Sequence, residues 1–288
     1  MQTERTRPRG EAFRKGVSAL KGAGITSPAL DASILLGYVT GQSPGAVLLE
    51  RDRTLTAEEQ DRFETLIKRR SNHETVSRLL GSREFFSLSF RTSPHVLDPR
   101  PETEHLVQGA LMFVRRLAGR PKILDVGTGS GVLAVTLALL DPRVFVVATD
   151  ICPKALEVAR ANACDHGVSE RIRFVRTDVV SGFSPEARFD LLVSNPPYIA
   201  AGEFPFLPPE VRLGDPYPAL VAGPEGTEFF GPLADAAASL LRPGGEILVE
   251  VGAGQSLTVE DLFRNRGIRG VTTLQDLAGI GRVVRGEK

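Results

Sequence analysis

The sequence predicts an α/β protein, a mostly parallel sheet covered by helices and preceded by a small helical domain. Two observations carry this. After Arg100 the chain alternates short apolar runs with helical periods, the βαβ order of a parallel sheet buried on both faces. Before Gly81 the signals are helical. The 288 residues suit two domains, and the change of pattern sets the expected boundaries. These are a helical domain over 1–80, a β-hairpin connector over 81–97, and the sheet domain over 98–288.

Phe13, Val17 and Leu20 recur at helical spacing, with Gly24 as the stop. Ser27-Pro28 reads as an N-cap and first-turn proline, with Leu30, Ile34, Leu35 and Tyr38 as the buried stripe. Ser43-Pro44 repeats that start. Thr56 and Glu59 spell a capping box ahead of Phe63, Leu66 and Ile67. From Glu84 to Leu97 the period becomes two, with Phe86, Leu88 and Phe90 on one side. Strands follow over Lys122–Val126, Val144–Thr149, Arg173–Val175, Leu191–Ser194 and Glu246–Val251, separated by helices, with a helix and strand pair to close. Ala200 to Gly226, rich in proline, reads as a long loop beside the site, either functional or a passive excursion.

Lys plus Arg and Asp plus Glu both number 35, so no global field draws in nucleic acid, and no direct nucleic-acid contact is expected. Cys152 and Cys164, with four scattered histidines, match no metal or redox spacing, so no metal is expected. The first ten residues hold no apolar stretch, and no apolar run is long enough to cross a bilayer. A cytoplasmic protein is the expectation.

Chemistry collects at strand ends, where ligands of such sheets bind. Gly127-Thr128-Gly129-Ser130-Gly131 follows a buried strand. Its spacing is not that of a dinucleotide site, which needs glycine at Val132, and no Lys follows as in a phosphate loop. Alone, it could be a turn without a ligand. Asp150 closes the next strand, where a carboxylate can accept both hydroxyls of a ribose or cap the helix starting at Pro153. Asp178 closes the strand after that, and with Val179 it would flank a purine ring. Asn195-Pro196-Pro197-Tyr198 ends a fourth strand. Pro196 and Pro197 stiffen the loop, and the residue before a proline is held extended, which aims the Asn195 side chain. This suits a planar NH2 group: one N–H donates to the Asn195 side-chain oxygen, the other to the Pro196 carbonyl, and Tyr198 stacks on the plane. The plainer alternative is a proline-terminated strand with a surface tyrosine.

Asp125 to Gly131, then Asp150, then Asn195 to Ile199 resemble the signature of Rossmann-like class I methyltransferases acting on exocyclic or amide nitrogens. Asp98-Pro99-Arg100-Pro101-Glu102-Thr103-Glu104 resembles a segment of one such family, the bacterial release-factor glutamine methyltransferases (PrmC/HemK). The helical domain and the run Leu79 to Phe90 match that family's order of parts, and Glu250-Val251-Gly252 and Asp276 to Gly279 fit its closing strands. Two positions depart from it: Asp98 stands for a more usual apolar residue, and Gly214-Asp215-Pro216 for a more usual Glu-Pro. The resemblance implies a seven-stranded sheet and S-adenosylmethionine as cofactor. Gly127, Thr128, Gly129, Ser130, Gly131, Asp150, Asp178, Val179 and Asn195 would contact the cofactor or lie beside it. Asn195, Pro196, Pro197 and Tyr198 would hold the substrate, with Asn195, Pro196 and Tyr198 serving catalysis. It also implies that the acceptor is the glutamine of the Gly-Gly-Gln motif in class-I peptide chain release factors, recognised by the helical domain. Rival readings are a ribosomal-protein glutamine methyltransferase, a nucleic-acid amino-methyltransferase, and a catalytically silent docking module.

Overall fold

A computed structural model describes residues 6–184 and 186–288. The chain packs as two units, Met1–Gly81 with Pro208–Gly214, and Ser82–Leu207 with Asp215–Lys288.

Among the described residues the first unit holds α1 Arg9–Gly22, α2 Pro28–Thr40, α3 Pro44–Leu49, α4 Ala57–Ser71 and α5 Val76–Leu80, with one more short helix in the segment Pro208–Gly214. The capping box forms: the Thr56 hydroxyl accepts the Glu59 N–H and the Glu59 carboxylate accepts the Thr56 N–H. Ser43 caps α3 by accepting the Ala46 N–H. Ser27 does not cap α2; its hydroxyl donates to Asp31 instead, at 2.8 Å. The expected stripe of α2 is also rotated by about one position. Leu30 and Tyr38 are exposed, whereas Ala32, Leu35, Leu36 and Val39 are buried. The cause is an ion pair. The Arg70 guanidinium donates to Asp31 at 2.7 Å, both residues are buried, and turning Asp31 inward turns Leu30 and Tyr38 out. Arg70 also donates to Glu210, from the segment that joins this unit, at 2.5 Å. Thr56→Ala is expected to cost about 1 kcal/mol, the usual worth of a cap, read as a lowered midpoint of helix loss in chemical unfolding.

The second unit begins with a hairpin, β1 Ser82–Phe85 and β2 Leu88–Arg91. Phe86 lies in its two-residue turn, not on a strand, and Phe86 and Ser87 both take positive φ, as a type I′ turn requires. Phe85 and Phe90 are the buried aromatics. Then come α6 Thr103–Val114, β3 Lys122–Val126, α7 Val132–Leu140, β4 Phe145–Asp150, α8 Pro153–Asp165, β5 Ile172–Arg176 and β6 Phe189–Ser194. The stretch expected to be a long loop carries short elements: β7 Ile199–Ala200, α9 Pro209–Gly214, which belongs to the first unit, α10 Tyr217–Leu220, and β8 Val221–Gly223, which pairs with β7. The chain ends with α11 Phe230–Leu240, β9 Leu241–Glu250, α12 Ser256–Asn265, and a closing hairpin of β10 Arg269–Gln275 and β11 Gly281–Glu287.

Seven strands form one sheet in the order β10-β11-β9-β6-β3-β4-β5, parallel from β9 to β5, with β11 antiparallel to both its neighbours. Alternate residues feed two cores. Ile123, Leu191 and Val193 pack with α6 and α7, while Leu124, Val126 and Leu192 pack with α11 and α12. Both faces are therefore covered, which is why these strands read as unbroken apolar runs. The strand order reverses between β3 and β6, which puts a crevice beyond their carboxyl ends. No helix of the described residues is long and apolar enough to cross a membrane.

Candidate active site

Beyond Val126 the chain turns sharply through Gly127, Gly129 and Gly131, all at positive φ. Gly131 opens α7, and a Cβ there would stand 3.2 Å from the Ala159 Cα, so glycine lets α7 start against α8. The Thr128 N–H donates to the Thr149 carbonyl at 2.8 Å and its hydroxyl to Asp125 at 2.6 Å. These bonds hold the loop across the ends of β3 and β4. Asp125 is fully buried, which pushes its carboxyl up to about 7 against the Thr128 hydrogen bond.

Asp150 ends β4. One carboxylate oxygen accepts the Gly129 N–H at 2.9 Å and the other the Cys152 N–H at 2.8 Å. Capping and ligand binding are thus compatible, since a carboxylate has about four acceptor positions, more than the backbone N–H groups fill. Burial raises the Asp150 carboxyl above its usual range, and these backbone N–H groups pull the other way. Asp178 and Val179 lie past β5. Val179 takes a φ of +47°, costly for a β-branched residue, which marks a segment constrained by its surroundings.

These pieces enclose a cavity of about 380 Å³, the size of a small-molecule site. Gly127, Thr128, Gly129, Ser130, Asp150, Asp178, Val179, Asn195, Pro196 and Pro197 all line it, while Gly131 and Tyr198 do not. Tyr198 instead packs half-buried against the core over α11 and α12, and burial with the neighbouring Glu250 raises its hydroxyl to about 12.

The acceptor motif is held from several sides. The Ser194 hydroxyl donates to the Val126 carbonyl at 2.7 Å, binding the end of β6 to β3. The Gln255 amide donates to the Tyr198 carbonyl at 2.9 Å and to the Gly226 carbonyl at 3.2 Å, and accepts the Gly252 N–H at 2.9 Å. The Asn195 amide nitrogen donates to the Thr103 hydroxyl oxygen at 3.0 Å. The Asn195 Oδ1 is buried with no partner among the described residues. A buried acceptor in that state costs free energy until a donor arrives. The site therefore presents a buried, unpartnered acceptor beside a glycine loop and a carboxylate.

Residues 11–81 match the model of the PrmC N-terminal domain, and residues 103–205 that of the methyltransferase small domain. The release factor glutamine methyltransferase of Rhodopirellula baltica is 38% identical over 271 residues, covering 92% of this chain and 91% of that protein. That of Cereibacter sphaeroides is 40% identical over 276 residues, covering 95% and 96%. The chain belongs to the release factor glutamine methyltransferase family. Among solved structures, the hMettl16 catalytic domain in complex with MAT2A 3'UTR hairpin 6 shares the fold, with a TM-score of 0.60 at 18% identity over 75% of this chain and 83% of that one.

The two departures from the family pattern meet in the structure. The Asp98 N–H donates to the Asp215 carboxylate at 2.9 Å, and Arg100 donates to its other oxygen at 2.5 Å. Sequence reasoning did not single out Thr103, Glu250 or Gln255 as site residues. Thr103 stood inside the family-like segment and Glu250 at a strand end, but their meeting with Asn195 and Tyr198 spans chain separations that no local pattern encodes.

Proposed function

We propose that the chain methylates the side-chain amide nitrogen of the glutamine in the Gly-Gly-Gln motif of class-I peptide chain release factors, with S-adenosylmethionine as methyl donor. The buried, unpartnered Asn195 Oδ1 at the cavity wall carries this reading, because it calls for an N–H donor at one place. The residues present fit the cofactor: glycines allow close approach to the backbone, and the Asp150 carboxylate keeps acceptor capacity for a ribose hydroxyl. Asp178 and Val179, which line the cavity, would flank the adenine. When bound, the cofactor supplies a methyl group on a positively charged sulfur.

Asn195 Oδ1 accepts one amide N–H of the glutamine and the Pro196 carbonyl accepts the other, so the nitrogen is held in one orientation. Accepting both hydrogens enriches the nitrogen, whose lone pair is otherwise delocalised. As the N–CH3 bond forms, the S–CH3 bond of the donor would break with its electron pair left on sulfur, and the methylated nitrogen would shed one proton to water, so the site needs to supply no base. Tyr198 closes the acceptor loop, and its ring meets the substrate only by turning from its packed position. A zero net charge over these residues disfavours a nucleic-acid acceptor. The cytoplasm, where release factors work, is the proposed location.

The helical unit recognises the body of the release factor. Every cofactor and acceptor motif lies after Arg100, and a second contact surface raises the effective concentration of a flexible loop. A chain lacking residues 1–81 is expected to methylate intact release factor about 10²-fold more slowly while its rate on a Gly-Gly-Gln loop peptide changes little. Equal losses on both substrates would assign that unit to folding support. Replacing the loop glutamine by asparagine should stop the reaction with either form, since the shorter amide falls short of the methyl; continued methylation would sink the assigned acceptor.

A further inference from the structure

We propose that Asn162, which lies on α8 outside the cavity, is a positioning residue for the cofactor: it fixes the glycine loop by clamping Ser130 to the hairpin strand β2. This rests on the reading above, in which Gly127 to Gly131 hold S-adenosylmethionine.

The Ser130 carbonyl needs a partner. Ser130 is buried and precedes Gly131, the N-cap of α7, so its carbonyl lies outside that helix's hydrogen-bond ladder. The partner comes from α8: the Asn162 side-chain nitrogen donates to it at 2.8 Å. The same nitrogen donates to the Arg91 carbonyl at 3.2 Å, and the Asn162 side-chain oxygen accepts the Arg91 N–H at 2.8 Å. Among the described residues β2 pairs only with β1, so its other edge is open. The Asn162 amide pairs with Arg91 on that edge as the backbone of another strand would. The three bonds also fix which way the amide faces. Turning it over would set its oxygen against two carbonyls and its N–H against the Arg91 N–H. Asn162 is fully buried, so these bonds have no water to replace them. No side chain of the same size supplies both groups: aspartate lacks the donors, and leucine lacks donors and acceptor alike.

Ser130 lines the cavity, while Asn162 and Arg91 do not. The helix α8 meets the glycine loop at two positions one turn apart, Ala159 against Gly131 and Asn162 against Ser130. Three glycines at positive φ give the loop wide conformational freedom, so bonds from outside it decide its shape. Asp150 holds it at Gly129 and Asn162 holds it at Ser130. A loop held in one shape loses less conformational entropy when a ligand binds, so Asn162 acts on cofactor affinity without touching the cofactor. A second link between the same helix and strand supplies a control. Asp165 accepts from the Arg91 guanidinium at 2.5 and 2.9 Å, which straps β2 to α8 without reaching the loop.

The test measures the S-adenosylmethionine affinity of the full chain by calorimetry, and single-turnover methylation of a loop peptide at saturating cofactor. Wild type, Asn162→Ala, Asp165→Ala and Asp150→Ala are compared. Asn162→Ala should raise the cofactor dissociation constant about tenfold, the scale of one lost hydrogen bond. Its single-turnover rate at saturating cofactor, and the peptide concentration that gives half of it, should stay within about twofold of wild type. A residue that only supports the fold would lower the active fraction and leave the affinity of the folded fraction alone. Asp165→Ala should leave the affinity unchanged. A measurement on wild type decides the matter even where Asn162→Ala does not fold. Coupling is reciprocal, so bound cofactor should slow hydrogen exchange of the Arg91 N–H more than that of Leu88 in the same strand. Wild-type affinity in folded Asn162→Ala, an equal rise in Asp165→Ala, or equal protection of Arg91 and Leu88 would overturn the inference. Wild-type affinity in Asp150→Ala would instead overturn the underlying reading of the cofactor site.

Discussion

Asn195→Ala is expected to lower the single-turnover rate of methyl transfer about 10²-fold or more while leaving most of the S-adenosylmethionine affinity in place. Truncation removes a buried, unpartnered acceptor on a residue that lines the cavity, and with it the bond proposed to orient the reacting nitrogen. A contact needed to align attack acts on the chemical step, so raising substrate concentration should not recover the rate. Among the described residues the side chain makes a single hydrogen bond, to Thr103, so the loss of fold stability should be modest. Single-turnover rates near wild type would remove Asn195 from the chemistry.

Asp150→Ala should raise the dissociation constant for S-adenosylmethionine by about 10²-fold. The two charge-assisted hydrogen bonds proposed to the ribose would disappear, each worth about 1.5 kcal/mol at the low end. The same carboxylate holds the Gly129 and Cys152 N–H groups, so the glycine loop also loosens and the effect can only grow. Asp150→Asn keeps an oxygen for one of those bonds and should fall between the two. Calorimetry reading an unchanged affinity in a folded Asp150→Ala protein would take Asp150 out of the site.

What could be read in the sequence was what short-range physics specifies. The span Lys122–Val126 was legible to the residue because an apolar run met a glycine turn, and the Thr56 capping box because both partners lie within one helical turn. Asn195 to Pro197 stood out because two prolines must end a strand. Errors arose where distant partners decide. The inward turn of Asp31 depends on Arg70, 39 residues away, and it rotated the buried face of α2. The hairpin turn at Phe86 and Ser87 carries no glycine or asparagine to announce its positive φ. The short elements within 200–226 are too brief for periodicity to register, and their pairing of β7 with β8 bridges the whole excursion. The contact between Thr103 and Asn195 crosses 92 residues.

The central claim is that the methyl group lands on one glutamine amide of a release factor. Incubation with methyl-labelled S-adenosylmethionine and, in parallel, purified release factor, ribosomal proteins, RNA and DNA tests it most directly, with labelled protein mapped by peptide mass spectrometry. Label confined to the release factor, as a single methyl on the glutamine of its Gly-Gly-Gln motif, is the expected result. Label on a ribosomal protein or a nucleic acid with the release factor left unmodified would contradict it.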